Sequence, residues 1–342
     1  MSGRASAIVA VVLVACGGSP TAGPASQSRQ GSPPSTALVS LGCSLPIANV
    51  GRLSDEVYFV SVPTGAMTAP KTTFARVPGS PALRRTVADP VLYGQSDDAT
   101  YDWPLRRWVP ARFSAISPDG TQYAYAKGGS GPSVDIHIVN IATGKDHVAA
   151  TGDNFWPLVF NKDGVYLTQR TAPAGLFAGG GIFLLDPITD KVREVHAPGA
   201  VEAWQVISGK FAYGGGFNPA APAGSGETSN ELIRLDMTTG AIERLAYRPG
   251  QPVVIAGTTS DGRIIASIQG GLYFVDSQAQ TTLIMDADGG ASIFTDRDQT
   301  WFLSWSMPRR LYSVSGNRAE HVMDFPAYTN PNSYMSLAGG CY

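Results

Sequence analysis

The sequence predicts an all-β protein in which one four-stranded antiparallel unit is used repeatedly. Three observations carry this: a turn-rich and charge-poor composition, period-two apolar strands between tight turns, and a signature recurring to the C-terminus. Of 342 residues, 39 are Gly and 25 are Pro, and only 15% are charged. Many short strands joined by turns require such a composition. The unit is clearest over residues 113–148. Phe113-Ser114-Ala115-Ile116 alternates and is expected to be its first strand. Ser117-Pro118-Asp119-Gly120 is a tight turn: Pro fixes φ, Asp bonds the local backbone and Gly accepts positive φ. Gln122-Tyr123-Ala124-Tyr125-Ala126 supplies an aromatic-rich second strand, and Val134, Ile136 and Ile138 a third at period two. Thr143-Gly144 then turns the chain into a fourth strand at Asp146-His147-Val148.

A second motif counts the units: an apolar strand, then Asp or Asn, then a Thr/Ser-Gly-like turn. It occurs at Val57-Tyr58-Phe59-Val60 before Thr64-Gly65, at 136–140 before Thr143-Gly144, and at Ile182-Phe183-Leu184-Leu185-Asp186 before Thr189-Asp190. Leu232-Ile233-Arg234-Leu235-Asp236, Leu272-Tyr273-Phe274-Val275-Asp276 and Leu311-Tyr312-Ser313-Val314 complete the series. Asn161-Lys162-Asp163-Gly164, Ser208-Gly209-Lys210, Thr259-Ser260-Asp261-Gly262 and Asp296-Arg297-Asp298 repeat the preceding turn. A period of roughly 40 residues built from four strands is that of a β-propeller blade. Six copies predict a six-bladed β-propeller of four-stranded antiparallel blades, with seven, one of them degenerate, as the alternative. The first blade is irregular: Tyr101-Asp102 and Arg107-Trp108-Val109-Pro110 are expected as its outer strands, 78–99 as an insertion, and 333–337 as a closing strand beside Cys43.

The turn at Ser117–Gly120, the Tyr123-Ala124-Tyr125 strand and Asn140-Ile141-Ala142-Thr143-Gly144 together resemble the PD40, or TolB-like, propeller repeat. That resemblance implies six blades, an exported location and often protein–protein binding. TolB itself adds an N-terminal α/β domain, for which residues 17–41 are too few.

Residues 1–15 read as a signal peptide. Arg4 precedes a short apolar core at 7–14, and Leu13-Val14-Ala15-Cys16 followed by Gly17-Gly18-Ser19 resembles the bacterial lipobox. On that reading Cys16 is lipidated and anchors the chain to the extracytoplasmic face of a bacterial membrane, since two acyl chains suffice for stable anchoring. An ordinary secretory signal with a coincidental Cys is the alternative. Residues 16–40, rich in Ser, Pro, Gly, Ala, Gln and Thr, form a disordered tether, and 41–342 a single propeller domain. With Cys16 lipidated, Cys43 and Cys341 remain at the two ends of the folded part. In an exported protein they are expected to pair, because a propeller closes its ring by bringing both chain ends into one blade.

Chemistry is sparse. The near-balance of 25 basic and 27 acidic residues gives no electrostatic case for nucleic acid. Gly-x-Ser-x-Gly, His-Glu-x-x-His and phosphate-loop patterns are absent from the sequence. His137, His147, His196 and His321 fall in third or fourth strands and are expected on the solvated outside. Asp286-Ala287-Asp288-Gly289 and Asp296-Arg297-Asp298 lack the later bidentate Glu of a calcium loop and read as turns. Arg106-Arg107 and Arg309-Arg310 read as solvated turns. No cofactor and no metal ligand is assigned, and a monomer is expected.

Propeller geometry places the loops between second and third strands on one face, together with the links into each innermost strand. Gly128–Gly131, Gly179–Gly181 and Gly214–Gly216 are expected there as mobile links. This face is the expected binding surface, because loops on a rigid scaffold carry function. On it fall Arg112, Asn154, Trp156, Glu202, Trp204, Gln251 and Tyr334, with the long loops 171–181 and 214–230. Aromatics flanked by polar groups suit a protein or cell-wall partner. Packing between blades is the alternative for Trp156 and Trp204; Arg112 and Glu202 are expected as surface groups, with pairing across the channel as the alternative. The function expected is a binding or scaffolding module; the alternative is a calcium-dependent hydrolase of lactonase type with its site at the channel.

Overall fold

A computed structural model describes residues 42–50, 57–68, 75–76, 82–84, 92–93, 99–128, 133–169, 180–199, 202–216, 230–248, 251–277, 280–286, 290–296, 299–305, 308–325 and 334–342. The expected signal peptide, Cys16 and the expected tether lie outside the described residues. Residues 39–342 form one compact unit.

The first blade opens with β1 (Cys43–Val50), β2 (Val57–Val62) and β3 (Met67–Thr68). Two small sheets follow. One holds β4 (Ala75–Arg76), β5 (Ala82–Arg84) and β6 (Leu92–Tyr93), the other β7 (Thr100–Asp102) and β8 (Arg107–Val109). Blade 2 contains β9 (Gln122–Gly128), β10 (Ser133–Asn140) and β11 (Asp146–Asp153). Blade 3 runs through β12 (Phe155–Asn161), β13 (Gly164–Gln169), β14 (Ile182–Asp186) and β15 (Lys191–His196). In blade 4 come β16 (Glu202–Ser208), β17 (Phe211–Gly216), β18 (Glu231–Asp236) and β19 (Ile242–Tyr247). Blade 5 is β20 (Val253–Thr258), β21 (Ile264–Ile268), β22 (Gly271–Ser277) and β23 (Gln280–Asp286). Blade 6 is β24 (Ala291–Thr295), β25 (Thr300–Ser304), β26 (Arg310–Ser315) and β27 (Arg318–Asp324). Finally β28 (Tyr334–Leu337) returns to pair antiparallel with β1, Ile47 opposite Leu337 and Val50 opposite Tyr334. The closing strand therefore lies where the sequence placed it, in a sheet ordered β28-β1-β2-β3.

The core lies between blades, and strand periodicity puts it there. Successive side chains of a strand point to opposite faces, so each middle strand serves two neighbours. Val165 and Leu167 of β13 pack with Ile136 and Ile138 of blade 2, while Tyr166 between them packs with Trp204 of blade 4. In β21, Ile264 and Ala266 join Tyr213 and Leu232 of blade 4, and Ile265 joins Phe302 of blade 6. Between blades 6 and 1, Trp301, Leu303 and Leu311 meet Leu45, Ile47 and Met335, all fully buried. Burial of one such side chain contributes about 1.5–3 kcal/mol.

Three expectations are corrected here. Tyr101-Asp102 and Arg107–Val109 are not outer strands of blade 1, which are β2 and β3. They form a separate hairpin packed as a wedge between blades 1 and 2. On one side Trp108 and Tyr101 lie against Ala48, Val57 and Phe59; on the other Val109, Ala111 and Leu92 lie against Tyr123, Val139 and Ile141. Arg107 is correspondingly no solvated turn, since its guanidinium donates to the Ile141 carbonyl of blade 2. Third, Phe113–Ala115 is a turn of 3-10 helix rather than a strand, and only a single bridge joins Ile116 to Tyr123. Ala115 N–H bonds the Arg112 carbonyl and Ile116 N–H that of Phe113, while the Phe113 ring meets Phe294 at 5.1 Å. Local bonds and that ring contact hold the segment off the β9 ladder.

The ring is locked at its seam. Cys43 and Cys341 form a disulfide with their Cα atoms 5.4 Å apart, enclosing a sequence separation of 298. Around it, Ser44 N–H bonds the Tyr342 carbonyl at 2.7 Å, and Trp103 of the hairpin donates to the Gly340 carbonyl at 3.2 Å.

Candidate functional site: the channel mouth

The antiparallel order of each blade sends every innermost strand away from one face, so residues opening those strands gather at the mouth of the channel. Arg112 precedes the innermost segment of blade 2, Trp156 is second in β12, Trp204 third in β16 and Val254 second in β20. Together they line a cavity of about 360 Å³, with Thr168, Gln169 and Gln205. Sequence local to each strand sets this up. Trp204 stands opposite Gly214, where a Cβ would come within 2.4 Å of the Ala203 carbonyl oxygen. Only Gly allows that approach, and it lets β17 pass close beside the indole.

Arg112 is exposed, and its guanidinium carbon lies 5.9 Å from the Trp156 ring centroid, a cation–π separation. Trp156 is half-buried and sits opposite Thr168. Trp204 is only 3% exposed: it packs among Leu158, Tyr166 and Ile182 of blade 3 and meets the His196 ring edge-on at 5.7 Å. The expectation of an exposed aromatic is corrected for this residue, whose packing between blades leaves one part of it in the cavity wall. Its Nε1 is buried and meets no acceptor among the described residues. Val254, by contrast, leaves 45% of its surface exposed on an innermost strand.

The remaining candidates surround this cavity without lining it. Asn154 occupies the link into β12 with φ of 54°, a left-handed turn that Asn tolerates. Gln251 lies in the link into β20, its N–H bonded to the Arg248 carbonyl at 3.2 Å. Glu202 and Tyr334 open β16 and β28, opposite Gly216 and Val50; their side chains, and hence the Arg112–Glu202 pairing, lie outside the described residues. So do 170–179 and 217–229 of the two long loops. Gly214–Gly216 is corrected: it is the end of β17, laddered to 231–233, and not a mobile link. Gly128 likewise ends β9.

Asp296 behaves as the turn residue expected, its Oδ1 accepting from the Gln299 N–H at 2.7 Å; Asp288 and Asp298 lie outside the described residues. Among the described residues, no three His, Cys, Asp or Glu side chains converge as a metal site would need. His137 corrects the expectation of a solvated ring. It is 7% exposed, its Nδ1 is 2.9 Å from Asp146 Oδ1, and it stacks on Tyr125 at 4.7 Å. The Tyr125 hydroxyl donates to the other Asp146 oxygen at 2.9 Å, and burial pushes its pKa upward. A period-two reading of β10 puts position 137 on a face, and nothing local says that Tyr125 covers it. Thr168, Gln169 and Gln205 were missed for a related reason: the first two close β13 and the third lies within β16, and the strand pattern marks them only as polar.

No family model matches the chain, and no curated protein does. Among solved structures, the chain is similar to an acylaminoacyl peptidase of Pyrococcus horikoshii, at 11% identity and a TM-score of 0.52. That match covers 84% of this chain and 54% of the peptidase, so the chain spans about half its length. It is also similar to TolB from Acinetobacter baumannii (13% identity, TM-score 0.46, 86% of this chain and 67% of that one). The β-propeller domain of the Trilobed protease from Pyrococcus furiosus gives 15%, 0.47, 81% and 84%. At these identities likeness speaks for the fold alone. With the sheet order above, the chain is a β-propeller in architecture.

Proposed function

We propose that the protein is a membrane-anchored, extracytoplasmic binding or scaffolding propeller that recognises a protein or cell-wall partner through its loop face. The observation supporting binding on this face is the channel-mouth cavity, where blades 2, 3, 4 and 5 each contribute a wall. A rigid ring that delivers Arg112, two indoles and two amides to one opening is arranged to hold something there. Trp and Arg are the residues most often found at energetic centres of interfaces. The anchoring part of the reading rests on Leu13-Val14-Ala15-Cys16.

Chemical cross-linking of intact cells tests it. Wild-type chain is expected to give a discrete adduct from the membrane fraction. The double substitution Arg112→Ala, Gln251→Ala, chosen at the mouth and outside the packed core, weakens capture by about 10-fold at unchanged melting temperature. Undiminished capture by that variant would remove the loop face from the function.

A further inference from the structure

We infer that the channel-mouth cavity is a saccharide site, taking one or two sugar units; the inference deepens the binding reading above and rests on it. Volume comes first. About 360 Å³ falls at the lower end of small-ligand sites, roughly 300–1,000 Å³. It is too small for a folded partner to enter and suits a compact ligand.

The wall then selects the chemistry. Arg112 is a donor only, while Thr168, Gln169 and Gln205 both donate and accept. The ligand must therefore bring acceptors, and some donors for the amides. Part of the wall is apolar: Val254, 45% exposed on an innermost strand, lines the space together with the Trp156 indole. A purely apolar ligand would strand the Arg112 guanidinium and the amides. A small inorganic anion would leave the aliphatic wall uncovered. A pyranose carries both requirements in one body, with ring and hydroxyl oxygens around its rim and C–H groups across its face. The half-buried Trp156, held beneath the Arg112 guanidinium at 5.9 Å, offers an indole of the amphipathic kind that such a face packs against.

The test is a titration of the full chain in detergent, followed by tryptophan fluorescence and calorimetry, with cellobiose, chitobiose and, for comparison, tetra-alanine. One of the two saccharides is expected to bind at one per chain and to change tryptophan emission. Gln205→Ala removes a group that both donates and accepts in the cavity wall, and should weaken binding about 10-fold. Gln169→Ala, at the edge of the core, gives the same reading should the Gln205 variant misfold. Saccharide binding that neither variant alters would overturn the inference. So would binding of tetra-alanine alone, or of no probe at millimolar concentration. If saccharides fail while face-dependent cross-linking persists, only this inference falls; if both fail, the binding reading falls with it.

Discussion

Ser117 shows how single side chains repeat a turn around the ring. Its hydroxyl donates to Asp119 Oδ1 at 2.6 Å and accepts from the Gln122 N–H at 2.9 Å. Thr259 repeats the arrangement, bonding Asp261 and accepting from Arg263 N–H at 2.9 Å. On the third-to-fourth-strand turns, Asn140, Asp186 and Asp236 accept from backbone N–H groups two or three residues on. Ser117→Ala should lower stability by about 1 kcal/mol, read as a shift in the urea midpoint with an unchanged slope. No shift would mean that the ladder alone sets this turn. These turns were legible in the sequence because donor and acceptor lie within five residues. Phe113 was not, because its conformation answers to Phe294 in blade 6. Nor was the burial of His137, which depends on Tyr125 from a neighbouring strand.

Among elements, the seam between blades 1 and 2 departs most from the repeat. Five blade junctions are made by strand faces directly; this one is filled by the β7–β8 hairpin, whose Tyr101, Trp103 and Trp108 cluster with Phe59 and whose Trp103 ring meets Tyr342 at 5.0 Å. The blade strands were readable because each carries its own apolar run and turn. The hairpin reads locally as two ordinary strands, and only its long-range partners distinguish wedge from blade edge. The Cys43–Cys341 disulfide, packed against the core between blades 6 and 1, closes a long loop, and the chain-entropy account of such a link gives on the order of 5 kcal/mol. Cys43→Ser, or reduction of the wild type, should therefore lower the unfolding midpoint, with proteolysis appearing first at 334–342. A midpoint independent of reductant would show that β28 pairing and the Trp103 contacts close the ring unaided.

For the molecule as a whole, acid is the informative variable. Four turn carboxyls are held below the usual range: Asp119 and Asp261 chiefly by the Ser117 and Thr259 hydroxyls, Asp186 by the Ile188 N–H and Asp236 by the Lys210 ammonium. A depressed folded value stabilises above the unfolded value, about 4, and that contribution is lost as pH falls through the folded one. Asp102, raised by burial, acts in the opposite sense. With four groups against one, the melting temperature should fall below about pH 4; a rise there would contradict the turn assignment.

The candidate site was legible to the same degree as the topology: the rule that links and second-to-third-strand loops share a face found Arg112, Trp156 and Trp204. It did not find Gln169, Gln205 or Val254, whose roles appear only when four blades are set around one opening. The central claim is that this face, and not the opposite one, meets the partner. The most direct measurement places a photo-cross-linking residue singly at Asn154, Gln251, Thr143 or Thr189 of the full-length chain in cells. Adducts from Asn154 and Gln251, with none from Thr143 and Thr189 on the opposite turns, are the expected result. Equal adducts from both sets, or adducts from the turns alone, would contradict the account.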